Sequence, residues 1–250
     1  MILGGTTEAR RLAAALTARP DLDVTISLAG RTADPLPQPV PSRTGGFGGA
    51  EGLARYLRDE QISVLIDATH PFAAQMSRNA AEAVSESGVP AFTLRRAPWE
   101  CVEGDRWTPA ADVPAAIAAL GPSPRRVFLA IGRQEAHHAN AAPMHRYLVR
   151  SVDAVEPPLT VPEVTYIRDL GPFRLEDEIA LMRGHGIDAL VTKNSGGAAT
   201  HAKIEAARHL GIEVIMIERA PDAGLPVVTT VEAALGQLDH LLSPAMKRGV

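Results

Sequence analysis

Cysteine is almost absent: Cys101 is the only one in 250 residues. No intrachain disulfide is possible, and no cysteine cluster exists for zinc or an iron–sulfur centre. Lysine is nearly as scarce, with Lys193, Lys203 and Lys247 the only three among 25 basic residues. No apolar run reaches the ~20 residues that a membrane-crossing helix needs. The first residues show no basic stretch followed by an apolar one, so a secretory signal is not expected and a reducing cytoplasm is. The formal net charge of -4 argues against a nucleic-acid surface spread over the whole molecule. It leaves room for a local basic pocket.

What is present is a regular alternation of strand-like and helix-like segments. Strands are expected at 1–3, 23–28, 63–67 and 90–94, with helices at 7–18, 50–60 and 73–87. A helix at 111–120 leads to Gly121-Pro-Ser-Pro124, whose turn residues mark a linker. Beyond it, strands are expected at 127–131, 145–152, 164–168, 189–193 and 213–217, with helices at 175–185, 198–210 and 231–242. Such alternation implies βαβ units and parallel sheets. The expected fold class is therefore α/β, with two Rossmann-like domains of parallel sheet flanked by helices, at 1–121 and 125–243.

Several strand ends carry residue types that bind ligands. Gly4-Gly-Thr-Thr-Glu-Ala9 follows the first strand and opens the first helix. Gly4 and Gly5 let backbone approach a diphosphate, the helix start offers N–H groups, and Thr6 and Thr7 add hydroxyls. A tight turn with a threonine cap is the competing reading, because the spacing departs from G-x-G-x-x-G. Gly30-Arg31 follows the second strand, where an NAD enzyme usually places a carboxylate for the ribose hydroxyls. Arg31 instead suits the 2′-phosphate of NADP, unless it is a solvated loop arginine. In Gly45-Gly-Phe-Gly-Gly49 the backbone around Gly46 can approach a flat or anionic ligand, or Phe47 can serve as a packing anchor.

Asp67-Ala-Thr-His-Pro-Phe-Ala73 ends a central strand and places Asp67, Thr69 and His70 where nucleotide ligands dock. A cap by Asp67 or Thr69 is the plainer alternative. Gly132-Arg133 and Lys193-Asn-Ser-Gly-Gly197 put a cation and flexible backbone at strand ends in the second half. The adjacent His137 and His138 do not share a face and lack partner spacing, so no metal site is expected.

Together these segments resemble the precorrin-6A reductase family. They are Gly4-Gly-Thr-Thr-Glu-Ala9, Gly30-Arg31, Gly45-Gly-Phe-Gly-Gly49, Ile66-Asp-Ala-Thr-His-Pro-Phe-Ala-Ala74, Leu129-Ala-Ile-Gly-Arg133 and Val191-Thr-Lys-Asn-Ser-Gly-Gly197. They occur in the family's order over almost the whole chain, and Asp67-Ala-Thr-His-Pro-Phe-Ala73 is the most specific. One departure is the short start, with three residues before Gly4.

The resemblance implies a monomeric two-domain enzyme of cobalamin (corrin-ring) biosynthesis, with NADPH in a cleft completed by the second domain. It would reduce one double bond of the metal-free tetrapyrrole precorrin-6A to precorrin-6B. Carried over by position, Gly4, Gly5, Thr6, Thr7, Gly30, Arg31, Gly46, Phe47 and Thr69 would hold the cofactor. Phe72, Arg133, Lys193 and Asn194 would meet the substrate. His70 and Lys193 are the candidate acids, with Asp67 as an orienter. No nucleic-acid or membrane partner is implied. A short-chain dehydrogenase is disfavoured, because Tyr56, Tyr147 and Tyr166 lack a lysine at the fourth following position. Another NADPH-binding reductase, or a dinucleotide sensor without catalysis, remains as the alternative.

Overall fold

The computed structural model describes residues 1–30 and 36–243. The chain forms two compact units: Met1–Ala97 together with the segment from Ala220 onward, and Pro98–Arg219. In chain order the elements begin with β1 (Ile2–Leu3), α1 (Thr7–Leu16), β2 (Ile26–Leu28), β3 (Ser42–Thr44), α2 (Gly49–Asp59), β4 (Leu65–Asp67), α3 (Ala74–Ser87) and β5 (Ala91–Leu94). Then follow β6 (Trp107–Ala110), α4 (Val113–Ala119), β7 (Arg126–Ala130), β8 (Arg146–Ser151), β9 (Val164–Arg168) and α5 (Leu175–Gly184). The chain closes with β10 (Ala189–Lys193), α6 (Ala202–Leu210), β11 (Glu213–Ile217), β12 (Val227–Val228) and α7 (Val231–Leu242).

In the first unit the sheet order is β12-β5-β4-β1-β2-β3, with every pairing parallel. Neighbouring residues of a strand point to opposite faces, and both faces here are covered. Ile2, Ile66 and Phe92 pack with Leu12 and Leu16 of α1 and Ala234 and Leu238 of α7. Leu3 and Leu65 pack on the other side with Leu53 and Leu57 of α2 and Ala80 and Ala83 of α3. The chain winds outward from β1 to β2 and β3, then returns to place β4 on the free side of β1. That reversal makes the C-terminal ends of β1 and β4 the switch point, where open α/β sheets bind ligands.

The second unit repeats the scheme with order β6-β11-β10-β7-β8-β9, again all parallel. Phe128, Leu190 and Val214 face Met182 of α5 and Ile204 and Ala207 of α6. The alternate residues Val127, Leu129, Val191 and Ile215 are fully buried, on the face where α4 lies against β6 and β11. Its switch point falls between β7 and β10.

The expected boundaries at 121 and 125 do not match these units. Trp107–Ala110 pairs with β11, so β6 and α4 belong to the second sheet. Val227 and Val228 pair with Thr93 and Leu94, so β12 and α7 belong to the first. Hydrogen-bonded edge positions, not the proline-rich turn at 121–124, decide membership.

Candidate active site

At the first switch point, Gly4 sits where an added Cβ would lie 2.7 Å from the buried Ile26 side chain, so a larger residue would have to push Ile26 aside. Gly5 has φ +111°, a conformation glycine tolerates, and nothing lies within 4 Å of where its Cβ would be. Thr6 caps α1: its Oγ1 accepts from the Ala9 N–H at 3.1 Å and donates to the Ala68 carbonyl at 2.8 Å. The hydroxyl expected to contact the cofactor is thus committed to joining the two switch-point loops. Among the described residues no protein group accepts from the N–H of Thr7 or Glu8. Open space over Gly5 beside two helix-start N–H donors fits a diphosphate. Glu8 lies in this same turn, and its charge is met by Arg96 at 2.6 Å.

Gly30 ends the strand–loop segment after β2 with φ +71°. Arg31 lies outside the described residues. Arg43 of β3, which the sequence did not single out, organises the glycine loop. Its guanidinium donates to Ser27 Oγ at 2.8 Å and to the carbonyls of Gly45 and Gly46 at 3.2 and 3.3 Å. It also lies 4.0 Å from the centre of the Phe47 ring, which meets Tyr56 edge-on at 5.1 Å. Phe47 is therefore an anchor for the loop, while Gly46 stays exposed. A lone arginine on an edge strand reads as solvated surface, so no signal marked it.

Asp67 is buried at 1% exposure. One carboxylate oxygen accepts from Thr69 N–H at 3.1 Å and Thr69 Oγ1 at 2.7 Å. The other accepts from Ser77 Oγ at 2.6 Å. Ser77 Oγ also accepts from Arg95 at 3.2 Å, and Arg95 pairs with Asp222. Asp67 therefore shapes its own loop and fixes α3. The Phe72 N–H donates to His70 Nδ1 at 3.2 Å, which leaves the imidazole proton on Nε2. The two rings lie 5.9 Å apart.

At the second switch point, Lys193 ends β10 and pairs with Glu135 from the loop after β7. Arg133, in that same loop, lies 3.7 Å from the Asp153 carboxylate. Asn194 spends its side-chain amide on the backbone of Trp99, accepting from its N–H at 2.7 Å and donating to its carbonyl at 3.0 Å. Among the described residues no three His, Cys, Asp or Glu side chains group as metal ligands. No helix among them is long and apolar enough to cross a membrane.

Two doubly wound parallel sheets with polar side chains at each switch point define a protein of the Rossmann-like α/β class. Residues 1–239 match the family model described as precorrin-6x reductase CbiJ/CobK; the chain belongs to this family of reductases. It is 56% identical over 245 residues to a precorrin-6A reductase of Sinorhizobium sp, covering 98% of this chain and 94% of that one. It is 46% identical over 239 residues to a precorrin-6A reductase of Rhodococcus erythropolis, covering 95% of each. A cobalt-precorrin-6A reductase of Methanothermobacter thermautotrophicus is 30% identical, with 99% of this chain and 83% of that one covered. A solved structure titled CobK precorrin-6A reductase superposes with TM-score 0.92 at 46% identity, covering 100% of this chain and 98% of that one.

Proposed function

We propose that this chain reduces one double bond of the precorrin-6A macrocycle to give precorrin-6B in cobalamin biosynthesis, with NADPH as the reductant. The observation that carries the cofactor reading is the cradle at β1 and α1: Gly5 with open space above it, beside the N–H groups of Thr7 and Glu8. The segment Gly30-Arg31 supports the phosphorylated cofactor, because it offers an arginine where NAD enzymes carry a carboxylate. NADPH supplies the hydride when bound.

The chain's own residues supply the rest. Arg133 and Lys193 stand at the second switch point and suit the carboxylate arms of a tetrapyrrole. His70, with its proton on Nε2, offers a hydrogen-bond donor beside Phe72. Adding a hydride to a double bond leaves one proton to be delivered. Lys193 Nζ carries such a proton, and Glu135 beside it compensates the charge.

Equilibrium titrations with NADPH and NADH test the cofactor assignment. NADPH should bind roughly ten- to a hundredfold more tightly, the size of one charge-assisted contact of about 1.5–3 kcal/mol. Arg31→Ala should erase most of that difference and spare NADH. Equal affinity of the unaltered protein for both cofactors overturns the assignment.

A further inference from the structure

We infer that Asn194 is a positioning residue, which ties both places where the chain enters and leaves the second unit to the end of the strand that carries Lys193. The catalytic part of this inference rests on the function proposed above. The second unit begins at Pro98 and ends at Arg219. Trp99, one residue inside the first crossing, holds the Asn194 amide by two hydrogen bonds, at 2.7 and 3.0 Å. Arg219, the last residue before the second crossing, donates from Nε to the Asn194 carbonyl at 2.8 Å. The Asn194 N–H donates to the carbonyl of Ile217 at 2.9 Å. Four bonds from one residue thus gather the incoming segment, the outgoing segment and the end of β10.

The chemistry of the side chain fits this task. A side-chain amide carries both a donor group and an acceptor, which together match the carbonyl and N–H of a single residue. Aspartate would offer only acceptors, and leucine neither. The Trp99 ring is held as well, with His201 at 5.7 Å between ring centres and Lys203 Nζ 4.8 Å from the ring centre. The Asn194 oxygen and one of its N–H groups are already engaged by Trp99. Asn194 therefore acts through its neighbours: it sets the backbone from which the adjacent Lys193 projects.

The test uses the full chain in a Trp107→Phe background, so that Trp99 is the only tryptophan. Asn194→Ala, confirmed folded by circular dichroism, should move Trp99 emission to longer wavelength. It should lower kcat with precorrin-6A by about tenfold or more, because the end of β10 that bears Lys193 is no longer held in place. KM for the macrocycle and the NADPH dissociation constant should each change by less than about threefold. Asn194→Asp keeps the acceptor and loses the donor, so it should shift both readouts in the same direction and serves if the alanine variant does not fold. Unmoved emission, or a raised KM with kcat preserved, overturns the inference and returns Asn194 to the role of a ligand. If the parent protein consumes no NADPH with precorrin-6A, the functional reading has failed instead, and the emission shift alone still decides whether Asn194 holds Trp99.

Discussion

At the scale of single residues, Lys193 is where the proposed chemistry is most exposed to test. Lys193→Arg keeps a cation for Glu135 and for a substrate carboxylate, but a guanidinium does not release its proton. With precorrin-6A, kcat should fall by about a hundredfold or more while KM stays within about threefold, as expected for a lost general acid. Preserved kcat would leave Lys193 as a clamp only. A second residue sets a pH limit. His145 is buried at 1% exposure, and its Nδ1 accepts from the Arg125 N–H at 3.2 Å. Burial first, and the nearby Arg125 second, hold its pKa below the usual value of 6.5. The unfolded chain therefore takes up a proton before the folded one does. Stability is full above about pH 6.5 and declines as pH falls towards the depressed native value. His145→Asn keeps an acceptor and removes the titration. Comparing urea midpoints at neutral and mildly acid pH, the variant should lose less on acidification. An identical loss in both proteins would mean that other groups carry the slope.

Residue roles were only partly legible in the sequence. The spacing of Asp67, Thr69 and His70 showed that this loop ends a strand at a ligand-binding edge. It did not show that Asp67 turns inward to Ser77, because that partner lies ten residues on, in the next helix. Arg43 was not singled out, and the hold of Asn194 on Trp99 was not foreseen, for a common reason: a polar side chain's partner is fixed by tertiary packing, which no local pattern records. Thr6 shows the reverse. The threonine cap and the ligand turn were weighed as competitors, yet one hydroxyl caps α1 and joins two loops beside the open glycine.

At the scale of elements, the buried parallel strands were readable as apolar runs, and the helices between them as periodic ones. Three short strands escaped. Ser42–Thr44 is a polar edge whose burial is partial at best. Trp107–Ala110 contains Pro109, a residue that reads against a strand. Val227–Val228 is two residues long. Each is defined by its partner rather than by its own pattern, since edge strands gain their hydrogen bonds from a neighbour distant in sequence. The glycine turn after β1 was recognised, and it carries the element-scale prediction. Gly5→Val places a β-branched side chain at φ +111° and fills the open space above the turn. NADPH binding should weaken by about a hundredfold or more in a protein whose circular dichroism is unchanged, the cost of blocking a diphosphate–backbone contact. Unchanged affinity would reduce the segment to a turn.

At the scale of the whole molecule, alternation established two parallel α/β sheets but not which strands belong to each. A linear reading cuts the chain once; the chain crosses twice, and each unit takes an edge strand from beyond the expected boundary. The proposed function gives each unit a role of its own, with the proposed cofactor cradle at the first switch point and the cations Arg133 and Lys193 at the second. A dinucleotide sensor would need only the first. The most direct measurement is therefore turnover: purified protein with NADPH, followed by absorbance, before and after precorrin-6A is added. The account predicts that NADPH is stable until the macrocycle is present, then consumed one for one as precorrin-6B forms. NADPH that binds tightly but survives in the presence of precorrin-6A would contradict it.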